Sequence, residues 1–236
     1  MLTFIDGDKL LFKALEDSFA EGMMKSLPSP GKNSFNAYLL AHNDKKFFIK
    51  PTTEEICKKE LIVQTLAKHM GLEHFFLPVC MIKIKDGVYG TVNPMLSDSF
   101  CSLQDFEKNI EHSMNGILET LHKSGNAHKL AVLDYFIDNY DRHRGNVFSD
   151  GKSIILIDHD RAFKKTEDGF IPGYLRNTNY SNSKELPTCD DESALRKWLI
   201  DLKISQIDVF NKIKELSNAP GRLDVAINKI WEKQCH

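Results

Sequence analysis

Residues 134–163 read DYFIDNYDRHRGNVFSDGKSIILIDHDRAF, and the rest of the chain is best read outward from them. The stretch places a carboxylate at Asp141, a carboxamide at Asn146 and a second carboxylate at Asp158. Between Asn146 and Asp158 lie two short apolar segments, Val147-Phe148 and Ile154 to Ile157, separated by Asp150-Gly151. Asp-Gly flanked by apolar residues is a strong signal for a two-residue hairpin loop. Such a hairpin brings Asn146, just before its first strand, beside Asp158, just after its second. An amide oxygen and a carboxylate converging there, with another carboxylate near, suit a hard divalent cation that carries nucleotide phosphates. The alternative is a surface hairpin between two charged loops. The unbroken run Ile154 to Ile157 counts against that, because it reads as a strand buried on both faces.

Composition frames the possibilities. A chain of 236 residues makes one large domain or two small lobes, with ample core and no need of staples. Hydrophobic content of 42% and charged content of 27% are those of an ordinary globular protein. The formal net charge of -2 speaks against a general nucleic-acid binder. The five cysteines (57, 80, 101, 189, 235) form no CxxC pair and read as reduced thiols, which points to a cytoplasmic, reducing compartment. No stretch approaches the length of a membrane span, and the N-terminus carries acids where a signal peptide has cations.

Toward the N-terminus the pattern is mixed. Leu10, Leu11, Ala14, Leu15 and Phe19 predict a helix within 8–25, capped by Asp8 and packed on the N-terminal part of the chain. A Ser-, Pro-, Gly- and Asn-rich loop follows over 26–36. Strands are expected at 37–41 and 46–50, then a helix from a capping box at Thr52 and Glu55 to about Met70. A second hairpin is expected over 77–92 across Asp86-Gly87. The composition changes at Asn93-Pro94-Met95. From there a capping signal at Ser102 and Asp105 opens a mainly helical region, with a helix over 126–139 and three more near 191–202, 205–217 and 221–233. Trp198 and Trp231 read as helix-packing residues. The expected architecture is α+β: a small antiparallel-sheet N-lobe over 1–93, a hinge at 94–98 and a helical C-lobe over 99–236.

Within the helix expected at 53–70, Ile56, Val63, Ala67 and Met70 share one face, and Glu60 fills the missing position. A carboxylate in an apolar stripe is costly without a cation. Lys50, at the end of the preceding strand, is the candidate partner, and a pair of this kind holds an ammonium where it can bind phosphate. The alternative is a Glu60 that snorkels at the stripe's edge and a solvated Lys50. In the loop 26–36, Gly31 to Ser34 could offer backbone N–H groups to phosphates, although no GxGxxG or Walker element is present.

Taken together, FFIKPTTEE, DNYDRHRGN and LIDHDRAF resemble the lysine strand, catalytic loop and metal-binding strand of the atypical kinases. That branch includes the phosphatidylinositol 3- and 4-kinases, HipA-like bacterial kinases and actin-fragmin-type kinases. The D-R-H-x-x-N pattern is matched by Asp141, Arg142, His143 and Asn146. The I-D-x-G-x-x-F-type strand is matched by Ile157, Asp158 and Phe163, with Asp160 where glycine is usual. The resemblance implies a two-lobed kinase fold using ATP and Mg2+. It implies that Lys50 contacts phosphates and Glu60 orients it, with Gly31, Ser34 and Met95 also beside the nucleotide. Asp141 would receive or orient the substrate hydroxyl, with His143 as its rival. Asn146 and Asp158, with Asp160 as a further candidate, would hold the metal.

The acceptor is read from the segment 164–184, which carries four cations against two acids. An inositol phosphate calls for a denser basic cluster. The expectation is therefore a protein substrate phosphorylated on Ser or Thr, with a phosphoinositide or small molecule as the alternative and an idle nucleotide-binding module as a third reading. By analogy with minimal stand-alone kinases, a bacterial toxin, effector or regulatory protein kinase is expected, delivered into a host cell if it is an effector.

Overall fold

The computed structural model describes residues 3–19, 23–27, 37–85, 87–106, 121, 123–137, 139, 142–163, 194, 197, 198 and 200–202. The fold is α+β, and the chain divides into two compact units, Met1–Thr65 with Phe76–Asp98 and Leu66–Phe75 with Ser99–His236.

The first unit is built on a six-stranded antiparallel sheet. Its strands are β1 (Thr3–Gly7), β2 (Met23–Ser26), β3 (Tyr38–His42), β4 (Lys45–Thr52), β5 (Cys80–Lys85) and β6 (Val88–Pro94), in the order β1-β5-β6-β4-β3-β2. The first two strands in the chain therefore form opposite edges, and the helix between them, α1 (Lys9–Phe19), must cross the whole sheet. It does so on an apolar stripe. Leu11, Phe12 and Leu15 pack on Leu40, Phe47, Ile49, Cys80, Ile82 and Val92. Asp8 caps this helix as expected, its carboxylate accepting the Leu11 N–H at 2.8 Å.

Several expectations shift here. The helix ends at Phe19, because Met23–Ser26 pairs with β3 as an edge strand. Leu10, placed on the apolar stripe by spacing, is 81% exposed, and Phe12 takes its place. Strand β1 was not anticipated. Gly7 ends it at φ +104, where a Cβ would lie 2.6 Å from the Val79 carbonyl oxygen, so no other residue fits.

Strand β4 continues past the end of β3. Among the described residues, Tyr38 pairs with Ile49, whereas Lys50, Pro51 and Thr52 pair with Thr91, Gly90 and Tyr89 of β6 alone. Pro51, which has no N–H, thus falls where, among the described residues, one side of the strand has no ladder partner. Helix α2 (Glu54–His69) follows at once. Its cap is Thr53 rather than Thr52: the Thr53 hydroxyl accepts the Ile56 N–H at 3.3 Å, while Thr52 completes β4. The hairpin across Asp86-Gly87 forms, with Lys85 opposite Val88 and Gly87 at φ +73.

In the second unit, β7 (Cys101–Ser102), β8 (Val147–Ser149) and β9 (Ile154–Leu156) make a three-stranded antiparallel sheet in sequence order. The cap at Ser102 and Asp105 forms reciprocally around the short α3 (Leu103–Phe106). Helix α4 (Asn126–Phe136) buries Ala127, Leu130, Val132 and Leu133. Trp198 packs as expected: its indole N–H donates to the Met70 carbonyl at 3.1 Å, and the Lys129 ammonium lies 5.5 Å from its ring centre. The helical stripe from Phe106 toward Leu121, the segment 164–190, Trp231 and the helices expected at 205–217 and 221–233 fall largely or wholly outside the described residues. Among the described residues, no helix is long and apolar enough to cross a membrane.

Candidate active site

The β8–β9 hairpin forms, with a loop longer than Asp-Gly predicts. Ser149 pairs with Ile154, which leaves four residues, 150–153, in the loop. Asp150 sets its shape: its carboxylate accepts the N–H groups of Lys152 and Ser153 at 2.9 and 2.7 Å, and these bonds hold its pKa below the usual carboxylate range. Ser149 adds a hydroxyl bond to the Ser153 carbonyl. The strand Ile154 to Ile157 is not buried on both faces. Ile154 and Leu156 are buried, whereas Ile155 and Ile157 are half-buried.

At the open end the ladder continues by one bond. The Ile157 N–H donates to the Asn146 carbonyl at 3.1 Å, so Asn146 lies across from the residue that precedes Asp158. Asn146 is buried and Asp158 half-buried. Asp158 adopts a left-handed backbone at φ +58, a conformation that Asp and Asn tolerate better than most residues.

Arg142 ties this end together. Its side chain is wholly buried. Nε and Nη2 donate to the two oxygens of Asp134 at 3.2 and 3.3 Å. Nη1 donates to the Ile157 carbonyl at 2.8 Å and lies 3.4 Å from that of Asn146. Nη2 also meets His159 Nδ1 at 2.7 Å. A guanidinium can only donate, so His159 Nδ1 is an acceptor and its ring hydrogen is on Nε2. Burial pushes the Asp134 carboxyl above its ordinary range, opposed by Arg142 and by the Asn139 amide.

His143 is exposed at the start of the 3₁₀ turn Arg144–Asn146, and its Nδ1 accepts the Gly145 N–H at 3.0 Å. Gly145 sits close to the exposed His143 ring. A Cβ there would meet the His143 ring at 2.8 Å and the Gln104 side chain at 3.1 Å.

In the first unit, strand alternation puts Phe47 and Ile49 on the α1 face of the sheet and Lys50 on the other. Across β6 and β5 its neighbours are Thr91 and Met81, both buried. Lys50 therefore lies on the face of the sheet opposite α1, and its buried neighbours show that this face is covered as well. Lys50 and Glu60 both act on Cys57: burial first, then Glu60, pushes this thiol up to about 12, and Lys50 pulls it down. Met95 is 41% exposed, and its N–H donates to the Lys46 carbonyl just past β6.

Lys50, Glu60 and Met95 thus belong to the first unit, and His143, Asn146, Asp158 and Asp160 to the second. Gly31, Ser34 and Asp141 lie outside the described residues. Among the described residues, no group of three or more His, Cys, Asp or Glu side chains is arranged to hold a metal. Asn146, Asp158 and Asp160, near the hairpin end, carry an amide and two carboxylates. Magnesium takes one or two carboxylates and completes its shell with water and phosphate, so these hard oxygen donors fit it.

No protein-family model matches the chain, and no curated protein matches it. Its structure is similar to the crystal structure of a Helicobacter pylori proinflammatory kinase, CtkA, over 90% of this chain and 93% of that one, at 15% identity and a TM-score of 0.45. Likeness of that degree assigns no residue a role.

Asn139 and His159 carry no signal of their own in the sequence, and Arg142 is visible only as one letter of D-R-H-x-x-N. The one available hint is Asp134 itself, an acid among apolar residues in a helix, which demands a buried cation.

Proposed function

We propose that the chain is an ATP- and Mg-dependent kinase that transfers the γ-phosphate to Ser or Thr of a protein, with 1–93 as N-lobe, 94–98 as hinge and 99–236 as helical C-lobe. The observation that carries this reading is the bond from Ile157 N–H to the Asn146 carbonyl, which gathers an amide and a carboxylate at one end of the β8–β9 hairpin. The D-R-H-x-x-N match and the nearness of both Lys50 and Glu60 to Cys57 support it.

In this reading Asn146 and Asp158 hold magnesium, which when bound offsets charge on the phosphate oxygens. Lys50 binds the phosphates that precede the γ-group, and Glu60 orients its ammonium. Asp141 receives the proton of the substrate hydroxyl as its oxygen bonds to the γ-phosphorus and the bridging oxygen leaves with ADP. His143 is a poor rival for that proton. With Nδ1 accepting from Gly145, its ring hydrogen sits on Nε2, so its other nitrogen is a donor. Catalysis then rests on positioning and electrostatic stabilisation.

The test is label transfer from γ-labelled ATP with magnesium in a cell lysate. Asp158→Asn is the control, since Asn tolerates the left-handed backbone that would strain alanine. Labelled Ser or Thr on protein bands, lost in the variant, is the expected result. Label confined to an organic extract would replace the protein acceptor with a lipid, and no transfer at all would leave a nucleotide-binding module.

A further inference from the structure

We infer that Arg142 is a positioning residue of this site, one that fixes Asn146 and Asp158 through their backbones; the inference rests on the kinase reading above. Arg142 acts on the path of the chain at this turn. It contacts the chain on both sides of Asp158, the Ile157 carbonyl before it at 2.8 Å and the His159 ring after it at 2.7 Å. It also reaches toward the Asn146 carbonyl at 3.4 Å.

Asp158 is the point at which the chain turns. Its left-handed backbone sends His159 back into the interior, where 5% of its surface is exposed. A backbone state of that kind persists only where its surroundings over-determine it. One planar group holding the residues before and after the turn does this. Asp134 balances the charge and, with two bonds, sets the plane of the fork. Lysine cannot reproduce this, because an ammonium has no rigid fork.

The test uses two variants of the full chain. Arg142→Lys keeps a cation beside Asp134 and loses the fork. The double variant Asp134→Leu with Arg142→Met removes the clamp without stranding a buried charge, a replacement that proteins commonly tolerate. The probe is Mn2+, titrated by electron paramagnetic resonance with ADP present, alongside thermal unfolding. Partners that orient metal ligands are worth about 10–100-fold in affinity or activity. Both variants are therefore expected to bind Mn2+ about 10–100-fold more weakly than wild type, with the double variant unfolding near the wild-type temperature.

Unchanged Mn2+ affinity in either folded variant overturns the proposal, and it leaves the kinase reading standing if wild type still transfers label. Unfolding of both variants assigns Arg142 to stability alone and likewise overturns it. If wild type binds Mn2+ but transfers no label, the kinase reading falls, and the same titration still decides the clamp. A wild type that binds no Mn2+ overturns both.

Discussion

His128 lies in the first turn of α4 with 2% of its surface exposed, and burial lowers its pKa. The neutral ring is therefore favoured in the folded chain, whereas the unfolded chain titrates near the ordinary value of about 6.5. Its contribution to stability is complete above that value and is lost as pH falls toward the depressed folded-state value. The loss is at most about 1.4 kcal/mol per pH unit for one proton. Urea unfolding at pH 7.5 and 5.5 is expected to show a lower midpoint at the acid value, and His128→Gln is expected to shrink that difference. An equal difference in the variant would put the acid sensitivity elsewhere.

At the scale of the element, α1 shows how a stripe and its phase are separate matters. Spacing identifies an amphipathic helix after Asp8, yet a pattern this rich in leucine fits more than one rotation. The sheet selects the face that carries Leu11, Phe12 and Leu15, and Leu10 is left outward. Leu15 is fully buried, so Leu15→Ala is expected to cost about 2–5 kcal/mol through lost transfer energy and the cavity left behind. Leu10→Ala is expected to stay within about 0.5 kcal/mol. Urea midpoints of the two variants measure this directly, and equal losses would mean that α1 is rotated from the position described.

For the molecule as a whole, the cysteines report whether its interior is closed. Burial pushes the thiols of Cys57 and Cys80 each up to about 12, with Glu60 adding at the first and Asp8 at the second. At pH 8 the thiolate fraction of each is then on the order of 10⁻⁴, and the thiolate is the reacting species. Cys101 is half-buried. A thiol reagent followed by peptide mapping is expected to modify Cys101 in the folded protein and to reach Cys57 and Cys80 only after urea is added. Early modification of Cys80 would show that the core between α1 and the sheet opens readily.

The sequence by itself determined what short-range chemistry can write. The Asp8 and Ser102 caps, the hairpin across Asp86-Gly87, the β8–β9 pairing and the residues at its open end all follow from neighbours a few positions apart. Asp150-Gly151 marked the turn; the bonds from Asp150 to Lys152 and Ser153 settled it as four residues rather than two. Only the tertiary structure decided the rest. Met23–Ser26 is a strand because β3 offers it an edge, and β1 and β2 end up at opposite sides of one sheet. Asp134, Arg142 and His159 meet because a buried guanidinium must find acceptors wherever the chain brings them. Pairings between residues 8 and 17 positions apart leave no periodic trace. Local pattern records the preferences of a segment, whereas burial is a property of what the segment is packed against.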